Sequence, residues 1–198
     1  MTSMDRDSEL QLVERLRAGD PAAFDVVHDA FNGRLYNFLA RLSNRPDLAE
    51  DLLEETWLRL VTHARRLRPD TRLGPWLFTV ARNLHASYCR SRLLEDSHAG
   101  TLLGLWPQGR REPSPFETAE SNEAARRLTA ALAALPLPYR EALLLVAIEG
   151  LRHAEAAGIC GISTDAMRQR VSRARALLAR HLTDAETPPL ACLREVTT

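Results

Sequence analysis

The sequence predicts an all-α chain of two helical domains joined by a flexible linker. Apolar residues recur at three- and four-residue steps through most of the 198 positions, and no run alternates strictly between apolar and polar residues. A stretch dense in glycine and proline separates the first four predicted helices from the last four. We therefore expect domains at residues 1–94 and 122–183, a linker at 95–121 and a loose tail at 184–198.

The first domain is predicted to contain four helices. The first ends at Gly19, and Asp20-Pro21 then supplies an N-cap and a first-turn proline for the second. The third helix is predicted from about 47 to 67, a loop at 68–74, and the fourth helix from 75 to about 93. The residues expected to face inward on the third and fourth helices are Leu48, Leu52, Leu60, Val61, Leu77, Val80, Ala81 and Leu84.

The second domain is also predicted to contain four helices. Helicity resumes at Glu123, and a helix over 139–149 is ended by Gly150. Two helices follow, at 152–159 and 164–182. His153 is expected to lie at a helix start, and Cys160 is expected to be buried in the packing of this domain.

The formal net charge is zero, but the charge is strongly segregated along the chain. Residues 59–92 carry a net charge of +7 and residues 152–181 carry +4, whereas the other segments are acidic. Local basic patches attract phosphates, so two separate contacts with a polyanion are expected. The alternative is that each patch is only a solvated helix face. All 26 basic residues are arginine, which we attribute chiefly to compositional bias.

The motifs of common enzymes and metal sites do not occur in the sequence. The three cysteines form no CxxC pair, no two histidines have HxxxH spacing, and GxxxxGK[ST], GxGxxG and GxSxG are missing. We expect no enzymatic activity, cofactor, metal or small-molecule substrate. The longest apolar runs fall short of the ~20 residues of a membrane helix, and the N-terminus lacks a signal-like apolar core. We therefore expect a cytoplasmic protein.

Residues 151–182 have the parts of a helix-turn-helix. A short helix is followed by a turn containing Gly161, by Ser163 as an N-cap and by an arginine-rich second helix. In such units the second helix enters the major groove of DNA. Arginine and glutamine suit this position, because each makes two hydrogen bonds to a base edge. The residues expected on its outward face are Arg168, Gln169, Ser172, Arg173 and Arg175.

Motifs in both domains resemble those of bacterial extracytoplasmic-function sigma factors, group 4 of the sigma-70 family. In the second domain, Arg140-Glu141, Glu149-Gly150-Leu151 and residues 170–175 resemble sigma region 4. In the first domain, residues 49–57 resemble region 2.2 and residues 75–84 resemble regions 2.3 to 2.4. The resemblance implies a non-enzymatic subunit that binds core RNA polymerase and directs promoter-specific transcription initiation.

The resemblance also implies roles for individual residues. The coiled-coil of the polymerase β′ subunit would contact Asp51, Leu52, Glu55 and Trp57, in a segment whose five acids suit a basic partner. The minus-35 element would be read by the outward face of the helix-turn-helix, with Arg175 holding phosphates. Opening the minus-ten element requires aromatic and amide groups for unstacked bases and cations for the backbone. The residues that would supply them are Trp76, Arg82, Asn83, Tyr88, Arg90 and Arg92.

The implied partners are promoter DNA, the β and β′ subunits of core RNA polymerase and a cognate anti-sigma factor that covers the DNA-binding faces. The apolar stretch 102–106 is expected to dock on the polymerase or on the anti-sigma factor. Two alternatives stay open: a sigma-like adaptor that binds a regulator or polymerase without DNA, and an ordinary helix-turn-helix regulator. The second would leave the acidic helix and the 75–93 segment unexplained.

Overall fold

The computed structural model describes residues 5–98 and 123–184, and in these ranges it contains only helices, turns and short connections. The prediction of an all-α fold is confirmed. No helix within the described ranges has the length and apolar character needed to cross a membrane. The apolar stretch at 102–106 and Cys192 lie outside the described residues.

The first domain begins with two helices whose ends follow local backbone rules. Gly19 has a positive φ of 81°, which ends the first helix in the left-handed conformation. Asp20 Oδ1 accepts a hydrogen bond from the Ala22 N–H at 3.0 Å, so the predicted N-cap is formed. The four helices of this domain are α1 (Arg6–Ala18), α2 (Pro21–Ser43), α3 (Pro46–His63) and α4 (Leu73–His98), with a 3-10 turn at Ala64–Arg66.

Two predictions about α3 and α4 need correction. Val61 was expected to face the core but is 59% exposed. Leu60, which is fully buried, takes the inward position, and the next residue turns about 100° away from it. Helix α4 begins at Leu73, two residues before Pro75, where the Glu9 carboxylate accepts the Leu73 N–H, and it continues through His98 into the segment predicted as linker.

The second domain contains α5 (Glu123–Ala134), α6 (Leu137–Leu143), α7 (His153–Cys160) and α8 (Thr164–Asp184). A π-helical turn at Leu144–Ile148 continues α6. Gly161 has a φ of 67° between α7 and α8, and the Ser163 hydroxyl accepts a hydrogen bond from the Ala166 N–H at 3.2 Å. These two residues set the turn of the helix-turn-helix as predicted.

The two domains pack against each other, with α4 lying on α7 and α2 lying on α5 and α6. The Arg140 side chain of the second domain also bonds the backbone of the first, since its guanidinium donates to the Leu42 carbonyl at the end of α2 at 3.0 Å. The same guanidinium donates to three carbonyls at and just beyond the end of α5, those of Leu132, Ala133 and Leu135. Among the residues that the structure describes, three ion pairs also cross the contact: Arg34–Glu149 at 3.0 Å, Arg82–Glu141 at 2.6 Å and Arg72–Glu155.

Candidate nucleic-acid and partner interfaces

Helix α8 presents one polar, basic face to solvent. Met167, Val171 and Ala174 are buried beneath it at helical spacing, which fixes the rotation of the helix. Arg168 pairs with Asp165 in the first turn at 2.6 Å, and within the described ranges it is the only outward arginine of the predicted set with an ion pair. The residues that share this exposed face are Arg168, Gln169, Ser172, Arg173 and Arg175.

A pocket of about 310 Å³ lies between α3 and α4. It combines an indole ring and an amide from α4 with two basic groups from α3. Trp76 is half-buried and Asn83 is exposed, so each keeps part of its side chain accessible. The lining residues are Arg59, His63, Trp76, Val80, Asn83, Leu84 and Ser87.

The six residues predicted for the minus-ten element lie on different sides of α4. Trp76 and Asn83 line the pocket, and Arg90 donates to the Ser87 hydroxyl of the same stripe at 2.9 Å. Arg82 instead faces the second domain, where Nε lies 2.6 Å from Glu141 Oε1. The structure therefore brings two of the six residues, Trp76 and Asn83, together in the pocket, and Arg90 contacts the pocket residue Ser87.

Tyr88 and Arg92 lie on a third side of α4, which faces neither the pocket nor the second domain. The Tyr88 hydroxyl accepts a hydrogen bond from Arg45 Nη1 at 3.0 Å. The Arg92 guanidinium lies 5.8 Å from the centre of the Tyr88 ring, a cation–π arrangement. These two residues are close to the end of α2 and not to the pocket.

The structure corrects two of the residues expected to contact a partner through α3. Leu52 is 8% exposed and Trp57 is 9% exposed, so neither side chain is available. The Trp57 indole donates to Asn32 Oδ1 at 2.9 Å and packs edge-on against Phe24. A tryptophan held by a tertiary hydrogen bond and ring contacts belongs to the core.

The exposed side of α3 is both acidic and apolar. Asp51 and Glu54 are exposed, and Glu55 is partly neutralised by Arg59 at 2.7 Å. Leu58 is 60% exposed and Val61 is 59% exposed, one and two turns beyond Glu54. The spacing 51, 54, 58, 61 is that of a single helical stripe, a signal that sequence reasoning missed.

The contact between the domains contains buried titratable groups. Burial raises the pKa of the Cys160 thiol to about 12, and the neighbouring Glu141 carboxylate acts in the same direction. Burial lowers the pKa of His85, whose ring lies 3.8 Å from the Cys89 sulfur. The expectation that Cys160 is buried is confirmed, since it is 8% exposed, and His153 is the first residue of α7. Within the described ranges, no group of three or more His, Cys, Asp or Glu residues could hold a metal ion.

Family comparisons match both domains. The Sigma-70 region 2 model matches residues 27–93, and the Sigma-70, region 4 model matches residues 125–178. The first match contains α3 and the greater part of α4, and the second contains α7 and the greater part of α8.

Curated relatives and a solved structure agree with these matches. The chain is 37% identical over 147 residues to ECF RNA polymerase sigma factor EcfG of Rhodopseudomonas palustris (strain TIE-1), covering 72% of the chain and 75% of the relative. It is 34% identical over 151 residues to ECF RNA polymerase sigma factor SigM of Bacillus subtilis (strain 168), covering 76% and 90%. The sigma factor RpoE, solved in complex with the anti-sigma factor NepR from Bartonella quintana, superposes with a TM-score of 0.62 at 26% identity, covering 89% of this chain and 95% of that one. The chain therefore belongs to the ECF RNA polymerase sigma factors of the sigma-70 family.

Proposed function

We propose that this chain binds core RNA polymerase and directs it to promoters through two separate DNA-reading surfaces. The observation that carries the proposal is that one chain combines an exposed basic face on α8 with a pocket between α3 and α4 that is lined by an indole, an amide, a guanidinium and an imidazole. A helix-turn-helix regulator needs only the first of these surfaces.

The α8 face is proposed to read the minus-35 element as duplex DNA. Gln169 and Arg173 lie one turn apart on the exposed face, and each can make two hydrogen bonds to a base edge in the major groove. Arg175 lies to one side of them and is assigned to the phosphate backbone, where it positions the helix without choosing sequence.

The α4 pocket is proposed to capture an unstacked base of the minus-ten element. Its volume of about 310 Å³ lies at the lower end of the range for ligand pockets, which suits a single base. The Trp76 ring offers a stacking surface and the Asn83 amide offers N–H donors, while its Oδ1 accepts a hydrogen bond from Arg82 Nη1 at 3.4 Å. Arg59 and His63 line the same pocket from α3, and the Arg59 guanidinium, which also pairs with Glu55 at 2.7 Å, would meet the sugar-phosphate backbone.

The exposed stripe of α3 is proposed as the contact with the polymerase. Its carboxylates, Asp51 and Glu54, suit a basic surface, and Leu58 and Val61 add apolar area that is otherwise left in water. This assignment keeps Asp51 from the sequence prediction and replaces Leu52 and Trp57 by exposed neighbours. Glu55 stays a secondary contact because Arg59 already binds it.

Promoter binding then requires the two domains to separate at least in part. Arg72 and Arg82 belong to the basic island of the first domain, but carboxylates of the second domain, Glu155 and Glu141, occupy them. DNA phosphates would compete with these carboxylates for the same guanidinium groups. An anti-sigma factor would act in the opposite direction by holding the closed arrangement, and we propose such a protein as a third partner. The proposal assigns no catalytic step or cofactor to the chain and places it in the cytoplasm, where its partners are.

Reconstitution with bacterial core RNA polymerase tests the proposal. The purified chain and core enzyme are incubated with a library of promoter-sized fragments, and bound fragments and run-off transcripts are sequenced. The expected result is a stable complex with core and transcripts that share two spaced elements. DNA binding without core binding would favour the ordinary regulator, and core binding without any selected DNA would favour the adaptor; either result overturns the proposal.

A further inference from the structure

The loop before α4 is tied to α1 by two contacts that span 64 residues each. Glu9 Oε1 accepts a hydrogen bond from the Leu73 N–H at 2.8 Å. Arg6 Nη2 donates to the Asp70 carbonyl at 2.9 Å. Arg6 and Glu9 are themselves paired, with Nη1 and Oε2 2.7 Å apart. The two side chains thus form one unit that holds both the middle and the end of the loop.

The Glu9 contact lies at the first residue of α4. Leu73 is fully buried, and the N–H groups of a helix's first turn have no partner inside the helix. A carboxylate there accepts one of these N–H groups and complements the positive end of the helix dipole. Glu9 is only 9% exposed, so this is a buried charge whose two oxygens are both bonded.

This tether lies next to the proposed minus-ten pocket. Trp76 follows Leu73 by one helical turn, and its N–H bonds to the Arg72 carbonyl at 3.0 Å. The start of α4 therefore fixes where the Trp76 ring enters the pocket wall. The loop itself carries Arg68 and Arg72, two cations of the basic island.

We infer that Glu9, assisted by Arg6, is a positioning residue for minus-ten recognition. It sets the start of α4 and the path of the 67–72 loop, and it determines minus-ten selectivity and duplex opening without contacting DNA. This inference rests on the proposed function of the α4 pocket.

Three variants and one control separate positioning from simple stabilisation. Arg6→Ala removes one hydrogen bond to the loop from a side chain that is 42% exposed. Glu9→Ala leaves the buried Leu73 N–H without a partner, whereas Glu9→Gln keeps an oxygen that can accept from it. The control is Arg15→Ala, which breaks another α1 ion pair, at 2.7 Å with Asp20 and not with a residue of the loop.

The measurements use the full chain with core RNA polymerase and a promoter selected by the unmodified protein, together with single substitutions across its minus-ten element. Opening is followed by permanganate reactivity of unpaired thymines, and core binding and thermal unfolding are measured in parallel. All opening assays are run well below the unfolding temperature of every variant.

We expect Arg6→Ala to reduce the permanganate reactivity of the promoter, or the preference for the selected minus-ten sequence over its substituted versions, about threefold to tenfold. Binding to core RNA polymerase should be unchanged. Glu9→Ala should reduce the same quantity by about tenfold or more, and Glu9→Gln should keep most of the activity that Glu9→Ala loses. Unchanged opening and discrimination in Arg6→Ala and Glu9→Ala would overturn the inference, and so would equal losses in core binding, minus-35 binding and opening. A failure of the proposed function itself is distinguishable, because the unmodified protein would then give no transcript.

Discussion

Replacing Arg82 by alanine is expected to loosen the contact between the two domains. Arg82 and Glu141 are 27% and 8% exposed, and their Nε and Oε1 atoms are 2.6 Å apart. Without the guanidinium, the buried Glu141 carboxylate loses its ion-pair partner. We take a cost of about 3 kcal/mol, the lower end for breaking a buried pair, because Arg82 is partly exposed. This corresponds to about a 100-fold shift of the equilibrium toward separated domains.

The Cys160 thiol provides the assay for this shift. It interacts with both Glu141 and Arg82, and burial and the Glu141 charge raise its pKa to about 12. A thiol with so high a pKa reacts slowly with alkylating reagents. Separation of the domains would hydrate the thiol and lower its pKa, so alkylation of the peptide that contains Cys160, followed by mass spectrometry, should be up to about 100-fold faster in Arg82→Ala.

Two comparisons make the result decisive. Arg15→Ala removes an ion pair of similar length within the first domain and should leave Cys160 alkylation unchanged. The double variant Arg82→Ala with Glu141→Gln removes both charges and should show less domain separation in small-angle scattering than Arg82→Ala alone. Scattering is the readout for this variant because the Glu141 charge itself raises the pKa of the Cys160 thiol. A Cys160 rate in Arg82→Ala within twofold of the unmodified protein, with unchanged small-angle scattering, would refute the argument that this pair holds the domains together.

Three further predictions concern the DNA surfaces and pH. Arg173→Ala should weaken binding to minus-35 duplex by about 1–3 kcal/mol in fluorescence anisotropy, while Arg126→Ala, an exposed arginine of α5, should not. Asn83→Ala should impair permanganate-detected opening more than initial promoter binding, and equal loss at both steps would contradict the division of labour between α4 and α8. Burial lowers the pKa of His85 below its usual 6.5, so as the pH falls the imidazole binds a proton in the unfolded chain before it does so in the folded one. The free energy of unfolding should therefore decrease as the pH is lowered below about 6.5. Urea unfolding at pH 7.5 and 5.5 should show a smaller decrease for His85→Gln, and an identical decrease would mean that His85 does not contribute.

Features that depend on local backbone chemistry were predictable from the sequence. Gly19, Asp20 and Ser163 end or begin helices as expected, because capping needs only residues a few positions apart. The outward face of α8 was also predictable, since a strongly charged stripe opposite Met167 and Val171 leaves one possible rotation.

Features that depend on distant partners were not predictable. Trp57 follows the acidic segment of α3 that was predicted to contact the polymerase. In the structure its indole is buried and donates to Asn32, which lies 25 residues earlier in the chain. Arg82 was assigned to DNA, but in the structure it binds Glu141, 59 residues later. No periodicity within a single helix contains this information, because the packing of one domain on the other determines it.

The Arg140 guanidinium donates hydrogen bonds to four carbonyls, and their distribution between the two domains affects the free energy of separating the domains. Three of them belong to the end of α5 and the turn that follows, so the side chain is already ordered within its own domain. Docking of α2 against it therefore costs almost no additional side-chain entropy, and undocking returns one carbonyl, that of Leu42, to water. A lysine could not hold all four acceptors, because it has one compact ammonium and not a planar fork of donors. The same residue thus orders the end of α5 within its own domain and offers the other domain a donor that is already in place.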